Sequence, residues 1–163
     1  MARRYWLVKS EPDTFGLDDL ARSPERTTVW DGVRNYQARN LLRDEVRRGD
    51  GVLFYHSRVR PQAVVALAGI VRSGYPDPSQ FDPASPYHDP RADREEPRWF
   101  AVDVRLDRVL DRPVTLEEMR ATPGLESMVL LHNSRLSVQP VTPQEWRIVA
   151  ALGRRRRFSG GTT

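Results

Sequence analysis

Apolar and polar positions along the chain change period from segment to segment, and each period predicts an element. RYWLVK, residues 4–9, alternates and is aromatic, which predicts a strand. EPDTFGLDDLARS follows, with Pro12 in a turn and a short helix expected over residues 17–21. In NYQARNLLRDEV the apolar Tyr36, Ala38, Leu41, Leu42 and Val46 recur at roughly helical spacing, which predicts a helix over residues 36–45. Gly49, Asp50 and Gly51 form a turn signal. VLFYHS, residues 52–57, is a nearly continuous apolar run, as expected of a strand buried on both faces.

AVVALAGIVRSGYP, residues 63–76, predicts a long β-branched strand in which Gly69 permits a bend or bulge. RWFAVDVRLDRVL, residues 98–110, places Val102, Val104 and Leu106 at period two, the clearest strand of the sequence. Thr115 followed by Glu118 is a capping-box signature for a short helix. RLSVQPVTPQEWRIVAAL predicts a short strand around residues 137–138, then a helix capped at Thr142 with Pro143 at its first position. Residues 77–97, loaded with Pro and Asp, are too polar for core and too long for an idle connection, so they are functional or disordered. Five or so strands with short helices inserted between them predict an α+β fold, a small twisted β-barrel. Residues 1–153 form its single domain, and residues 154–163 a basic tail expected to be disordered.

Charge changes this picture in one respect. The net charge of +4 suggests an affinity for polyanions, but the terminal RRRRFSGGTT holds four arginines and no acid. With that tail set aside, 22 basic residues meet 22 acidic ones, so the folded body needs a local patch to attract a polyanion. Lys9 is the only lysine among 26 basic residues. Either it is a chance survivor of an arginine-biased composition, or it sits where a compact point charge fits and a planar fork does not. The absence of cysteine excludes disulfides and thiolate metal sites, no apolar run approaches the length of a membrane span, and the simplest expected location is cytoplasmic.

Catalytic signatures are thin. His56, His88 and His132 are far apart and form no close metal pair, Ser57 and Ser137 lack a nucleophile elbow, and no phosphate-binding Gly-rich loop is present. No metal or cofactor is expected. A binding pocket is better supported. VWDGVRNYQARN, residues 29–40, packs aromatics beside amides and arginines in a way that suits neither a surface helix nor a core. Trp30, Tyr36, Tyr55 and Trp99 lie at the ends of predicted elements, with Arg34, Asn35, His56, Ser57, Arg98 and Gln139 beside them. An extruded or single-stranded base needs this combination: an aromatic face to stack on, and amides or backbone groups to read its edge. Other readings stand beside it. Trp6 and Trp146 read as core, Trp99 as core or rim, and Asn35 as a helix cap.

The motifs YWLVKSEPD, VWDGVRNYQARN, GDGVLFYHS, YPDP, PRWFAVDVR, RPVTLEEM and RLSVQPVT, in this order over residues 4–152, resemble the EVE-domain family. The resemblance implies a PUA-like β-barrel related to ASCH and YTH domains, and a non-catalytic pocket for a modified nucleobase in DNA or RNA. Lys9 and Ser10 resemble the Lys-Ser pair that ends the first strand of YTH readers, and Trp30 resembles their cage tryptophan. Glu11 falls where those readers carry an amide at the base edge. An ionised carboxylate only accepts hydrogen bonds, so an exocyclic amine, as in cytosine, suits it better than the ring acceptor of adenine. Glu11 can instead pair with an arginine or cap the helix near Leu17. The base-binding set expected is then Ser10, Glu11, Trp30, Asp31, Asn35, Tyr55, His56, Ser57, Trp99, Ser137 and Gln139. Lys9, Arg34, Arg39 and Arg98 are expected at phosphates, and the arginine tail along the backbone. Two other classes remain: an enzyme acting on nucleic acid with Glu11 or Asp31 as general base, and a protein–protein adaptor.

Overall fold

Trp6, Leu7 and Val8 are successive residues, and all three are buried. A strand can bury both faces only where both sides of its sheet are covered. The structure, a computed structural model, describes residues 2–154 and shows how this is done. Its elements in chain order are β1 (Tyr5–Ser10), α1 (Leu17–Arg22), β2 (Thr27–Trp30), α2 (Tyr36–Asp44), β3 (Gly51–His56) and β4 (Ala63–Pro76). β5 (Phe100–Thr115), α3 (Leu116–Ala121), α4 (Val129–His132), β6 (Val138–Val141) and α5 (Pro143–Leu152) follow. The strands form one six-stranded mixed sheet in the order β2-β5-β4-β3-β1-β6. The fold is therefore α+β, with short helices between strands as expected. Among the described residues no ladder joins the edge strands β2 and β6, so the sheet curls without closing by hydrogen bonds.

Each face has its own core. Trp6, Val8, Val52 and Phe54 point to one side, where Trp30 of β2, Leu20 of α1 and Ala38 and Leu42 of α2 cover them. Leu7, Leu53 and Tyr55 point to the other, against Met119 of α3, Leu130 of α4 and Val149 of α5. The continuous apolar run of β3 is thus a strand between two layers. β1 and β3 pair in parallel from Tyr5 opposite Gly51 to Ser10 opposite His56, while the remaining ladders are antiparallel. A parallel pair needs a crossover, here α1, β2 and α2, and that crossover returns the chain past the C-terminal end of β1.

Several expectations are refined. β2 was not foreseen: four residues, TTVW, at a sheet edge give too short a pattern to read. β5 runs on past Leu110 through Pro113 to Thr115. In β4 the register shifts flank Gly69 rather than falling on it. Thr115 caps α3 by accepting from the Glu118 amide at 3.1 Å, but the Glu118 carboxylate pairs with Arg112 at 2.8 Å, so that capping box is half made. Thr142 and Glu145 complete the reciprocal box of α5. Trp146 is half-buried and stacks on Tyr5 with centroids 4.6 Å apart, at the margin of the core rather than inside it.

The segment 77–97 is the largest departure. Asp77 and Gln80 are fully buried despite their polarity. Burial is tolerated because each is satisfied. The Gln80 side chain donates to the carbonyls of Asp77 and Trp99, both at 2.8 Å, and accepts from the Trp99 amide at 3.0 Å. This amide staples the loop to the start of β5.

Candidate functional site

Backbone geometry at the C-terminal ends of β1 and β2 gathers three stretches of chain. The Lys9 amide donates to the Ser137 carbonyl at 3.0 Å, placing the start of β6 beside Lys9, Ser10 and Glu11. After Trp30 the chain turns at Gly32, with φ +77°, and enters α2 at Asn35. Between them lies a cavity of about 530 Å³, walled by Lys9–Glu11 on one side, by residues 30–35 on another, and by Phe15, Tyr87 and Ser137.

Of the residues expected from sequence, Lys9, Ser10, Glu11, Trp30, Asp31, Arg34, Asn35 and Ser137 line this cavity. Trp30 is 9% exposed and meets Phe54 and Phe15 edge-on, with centroids 5.7 and 6.4 Å away. It is a core residue with one surface left to the cavity. Asn35 does cap α2, accepting from the Ala38 amide at 3.0 Å. The Ser10 hydroxyl donates to the Phe15 carbonyl, fixing the turn after β1. Lys9 donates its ammonium to the Ser134 carbonyl at 2.6 Å, and partial burial lowers its pKa. Glu11 pairs with Arg58 at 3.2 Å, at the exposed lip.

Arg34 lies in the wall, yet its guanidinium is committed to the protein rather than free for a phosphate. It donates to Asp77 at 3.0 Å, to Ser79 at 3.2 Å and to the Tyr87 carbonyl at 2.6 Å, and lies over the Tyr87 and Trp99 rings. Burial opposes ionisation of Asp77, but hydrogen bonds from Ser79, Gly32 and Arg34 outweigh it and lower its pKa. The pair fastens the long loop to the Gly32 turn. Asp31, next to it, is exposed by area, yet loss of hydration and then the Asp77 charge raise its pKa.

Seven expected residues lie outside the cavity. Tyr55 is buried and donates to Gln62 at 2.9 Å, and burial pushes its pKa up to about 12. His56 accepts from the Leu17 amide at 3.1 Å at the start of α1. Burial lowers its pKa, as suits a ring nitrogen that must stay unprotonated to accept. Ser57 donates its amide to the Ser10 carbonyl at 2.9 Å. Gln139 is buried and holds the chain before β6 through the Asn133 and Leu136 carbonyls. Trp99 is buried, donates to Asp89 at 2.8 Å and stacks on Tyr36 at 4.9 Å, so it backs the wall. Arg39 donates to the Arg98 carbonyl at 2.7 Å, and the Arg98 side chain approaches Asp89 at 3.9 Å.

Conversely, Thr14, Phe15, Gly32, Val33 and Tyr87 line the cavity unforeseen. Gly32 and Val33 sit inside the motif already singled out, whereas Tyr87 comes from the loop read as too polar to pack. Its ring occupies the space a Cβ on Gly32 would need, at 2.7 Å. Among the described residues no group of three potential metal ligands converges, and no helix is long and apolar enough to cross a membrane.

Comparison with known proteins places this geometry. The family model described as "EVE domain" matches residues 4–152. Thymocyte nuclear protein 1 of Mus musculus is 41% identical over 165 residues, covering 91% of this chain and 73% of the relative. The crystal structure of human THYN1 protein in complex with 5-methylcytosine-containing DNA superposes with a TM-score of 0.87 at 39% identity, covering 93% of this chain and 98% of that one. The YTH domain of Zygosaccharomyces rouxii MRB1, in complex with N6-methyladenosine RNA, has a TM-score of 0.54 at 16% identity over 93% of this chain and 87% of that one, a likeness of fold. The expected PUA-like fold is the fold of these neighbours.

Proposed function

The chain belongs to the EVE-domain family, and from that premise we propose that it is a non-catalytic module that reads a modified nucleobase, of cytosine type, in DNA or RNA. The observation that carries this reading is the cavity itself. One indole, Trp30, borders it beside the carboxylates Glu11 and Asp31 and the polar Ser10, Asn35 and Ser137. A base laid against Trp30 gains on the order of 1–3 kcal/mol from stacking. Two carboxylates at the rim suit an exocyclic amine with two N–H donors, which 5-methylcytosine keeps and which N6-methyladenine reduces to one. The DNA bound by human THYN1 contains 5-methylcytosine, which supports the same class of ligand here.

The test is a titration of short single-stranded oligonucleotides bearing one 5-methylcytosine, one N6-methyladenine or no modification. The expected result is at least about tenfold tighter binding of the 5-methylcytosine strand, equivalent to ~1.4 kcal/mol, with each strand recovered chemically unchanged. Equal affinities for all three overturn base reading, and a converted base overturns the non-catalytic assignment.

A further inference from the structure

A second cleft, of about 810 Å³, adjoins the Trp30 cavity and shares Lys9, Glu11 and Ser137 with it. The two differ in charge. The Trp30 cavity balances Lys9 and Arg34 against Glu11 and Asp31. The second cleft sets Lys9, Arg58, Arg120 and Arg135 against Glu11 alone, and Glu11 is already paired with Arg58. Arg120 and Arg135 are exposed and have no acidic partner among the described residues. On its own helix Glu117 stands three residues before Arg120 and makes no ion pair with it, and Glu118 is occupied by Arg112 at 2.8 Å. Arg34, Arg39, Arg43 and Arg112 spend guanidinium hydrogen bonds on the protein, whereas Arg120 and Arg135 both line this one cleft without an ion pair among the described residues.

We propose that this cleft is the track for the sugar–phosphate backbone flanking the base in the Trp30 cavity, with Arg120 and Arg135 as phosphate-binding residues; the assignment rests on the base-reading function above. A polyanion is the chemistry that complements unpaired guanidinium groups, which bind phosphate as a fork. The shared wall explains why the backbone lies here: a base in one cavity delivers its adjacent phosphates across Lys9 into the other. Base and backbone are then read by different surfaces, one balanced and aromatic, one basic.

The experiment uses the full chain, its R120A/R135A variant, and R147A as a control for loss of an exposed arginine elsewhere. Single-stranded oligodeoxynucleotides with and without one 5-methylcytosine are titrated across a salt series, and free 5-methyldeoxycytidine is titrated by calorimetry. The double variant is expected to flatten the slope of log affinity against log salt by about 1.4, two phosphates at ~0.7 each on a single strand. Nucleoside affinity, melting temperature and the R147A slope are expected to match the wild type. An unchanged slope in the double variant overturns the track even when the modified strand is preferred, and so does a wild type that binds neither strand. Equal binding of both strands defeats base reading, whereas a flattened slope in the double variant still upholds the track. Loss of nucleoside affinity in the double variant moves Arg120 and Arg135 into base binding and also overturns it.

Discussion

Trp30 is bound to the core on one side and to the cavity on the other, so no substitution there separates binding from folding completely. Trp30→Ala removes the edge contacts to Phe15 and Phe54 and is expected to cost about 3–5 kcal/mol of stability. Trp30→Phe keeps an aromatic core residue with a smaller face. It is expected to unfold at a denaturant midpoint between those of wild type and Trp30→Ala, and to weaken base binding by up to ~1–3 kcal/mol. Unchanged affinity in Trp30→Phe takes Trp30 out of the pocket. Asp31 gives the cleaner separation. Its pKa is raised by lost hydration and by Asp77, so the native state holds the Asp31 proton more tightly than the unfolded chain does. Its contribution is therefore present below the ordinary carboxylate value and lost as pH rises through the raised native one. Asp31→Asn is expected to be slightly more stable than wild type at pH 7, with the advantage disappearing in acid and kept small by solvent screening. It is also expected to bind the cytosine-type base more weakly. Urea melts across pH, set beside titrations, check both.

At the scale of elements, the decisive unit is the turn from β2 into α2 together with the loop over residues 77–97. Asp77 accepts from the Gly32 amide at 2.9 Å and from Arg34 at 3.0 Å, while Tyr87 lies over Gly32. Gly32 serves twice: its φ of +77° strains any side chain, and a Cβ would stand 2.7 Å from the Tyr87 ring. Gly32→Ala is expected to cost at least ~1–2 kcal/mol from backbone strain alone. It is also expected to push Tyr87 off the cavity, weakening base binding and speeding hydrogen exchange at the Ser79 and Asp89 amides. Native-like exchange in that variant shows that the loop does not depend on the turn. The same unit explains what was readable. Asn35 as a cap and the helix after it follow from local pattern, because a cap bonds three residues away. Tyr87 on Gly32 is a contact across 55 residues, and nothing local announces it. The polar composition of residues 77–97 speaks against packing on solvation grounds; buried Asp77 and Gln80 are stable through partners that include Gly32, Arg34 and Trp99 from outside the segment.

At the scale of the molecule, two basic features bear on a polyanion: the cleft with Arg120 and Arg135, and the arginine run at residues 154–157, most of which lies outside the described residues. Deleting residues 154–163 is expected to lower the salt slope of oligonucleotide binding by at most about 0.7 for each arginine on a single strand. Free nucleoside affinity is expected to stay the same. Salt titrations of the truncated chain decide it, and an unchanged slope removes the tail from the interface.

The sequence by itself determined the α+β class, the bounds of β4, the caps of α2 and α5, and the stretches Lys9–Glu11 and Trp30–Asn35 as chemically unusual, because period and capping are local properties. Only the tertiary structure decided which unusual residues meet. Tyr55, His56 and Ser57 lie at the end of a predicted strand, so the sequence put them in the base-binding set. In the fold Tyr55 faces the opposite core, His56 serves α1 and Ser57 faces the second cleft. Trp99, Gln139 and Arg34 look like ligand-binding groups but spend their hydrogen bonds holding loops. A polar side chain looks the same in sequence whether its partner is a base or a backbone carbonyl; the partner is fixed by long-range packing.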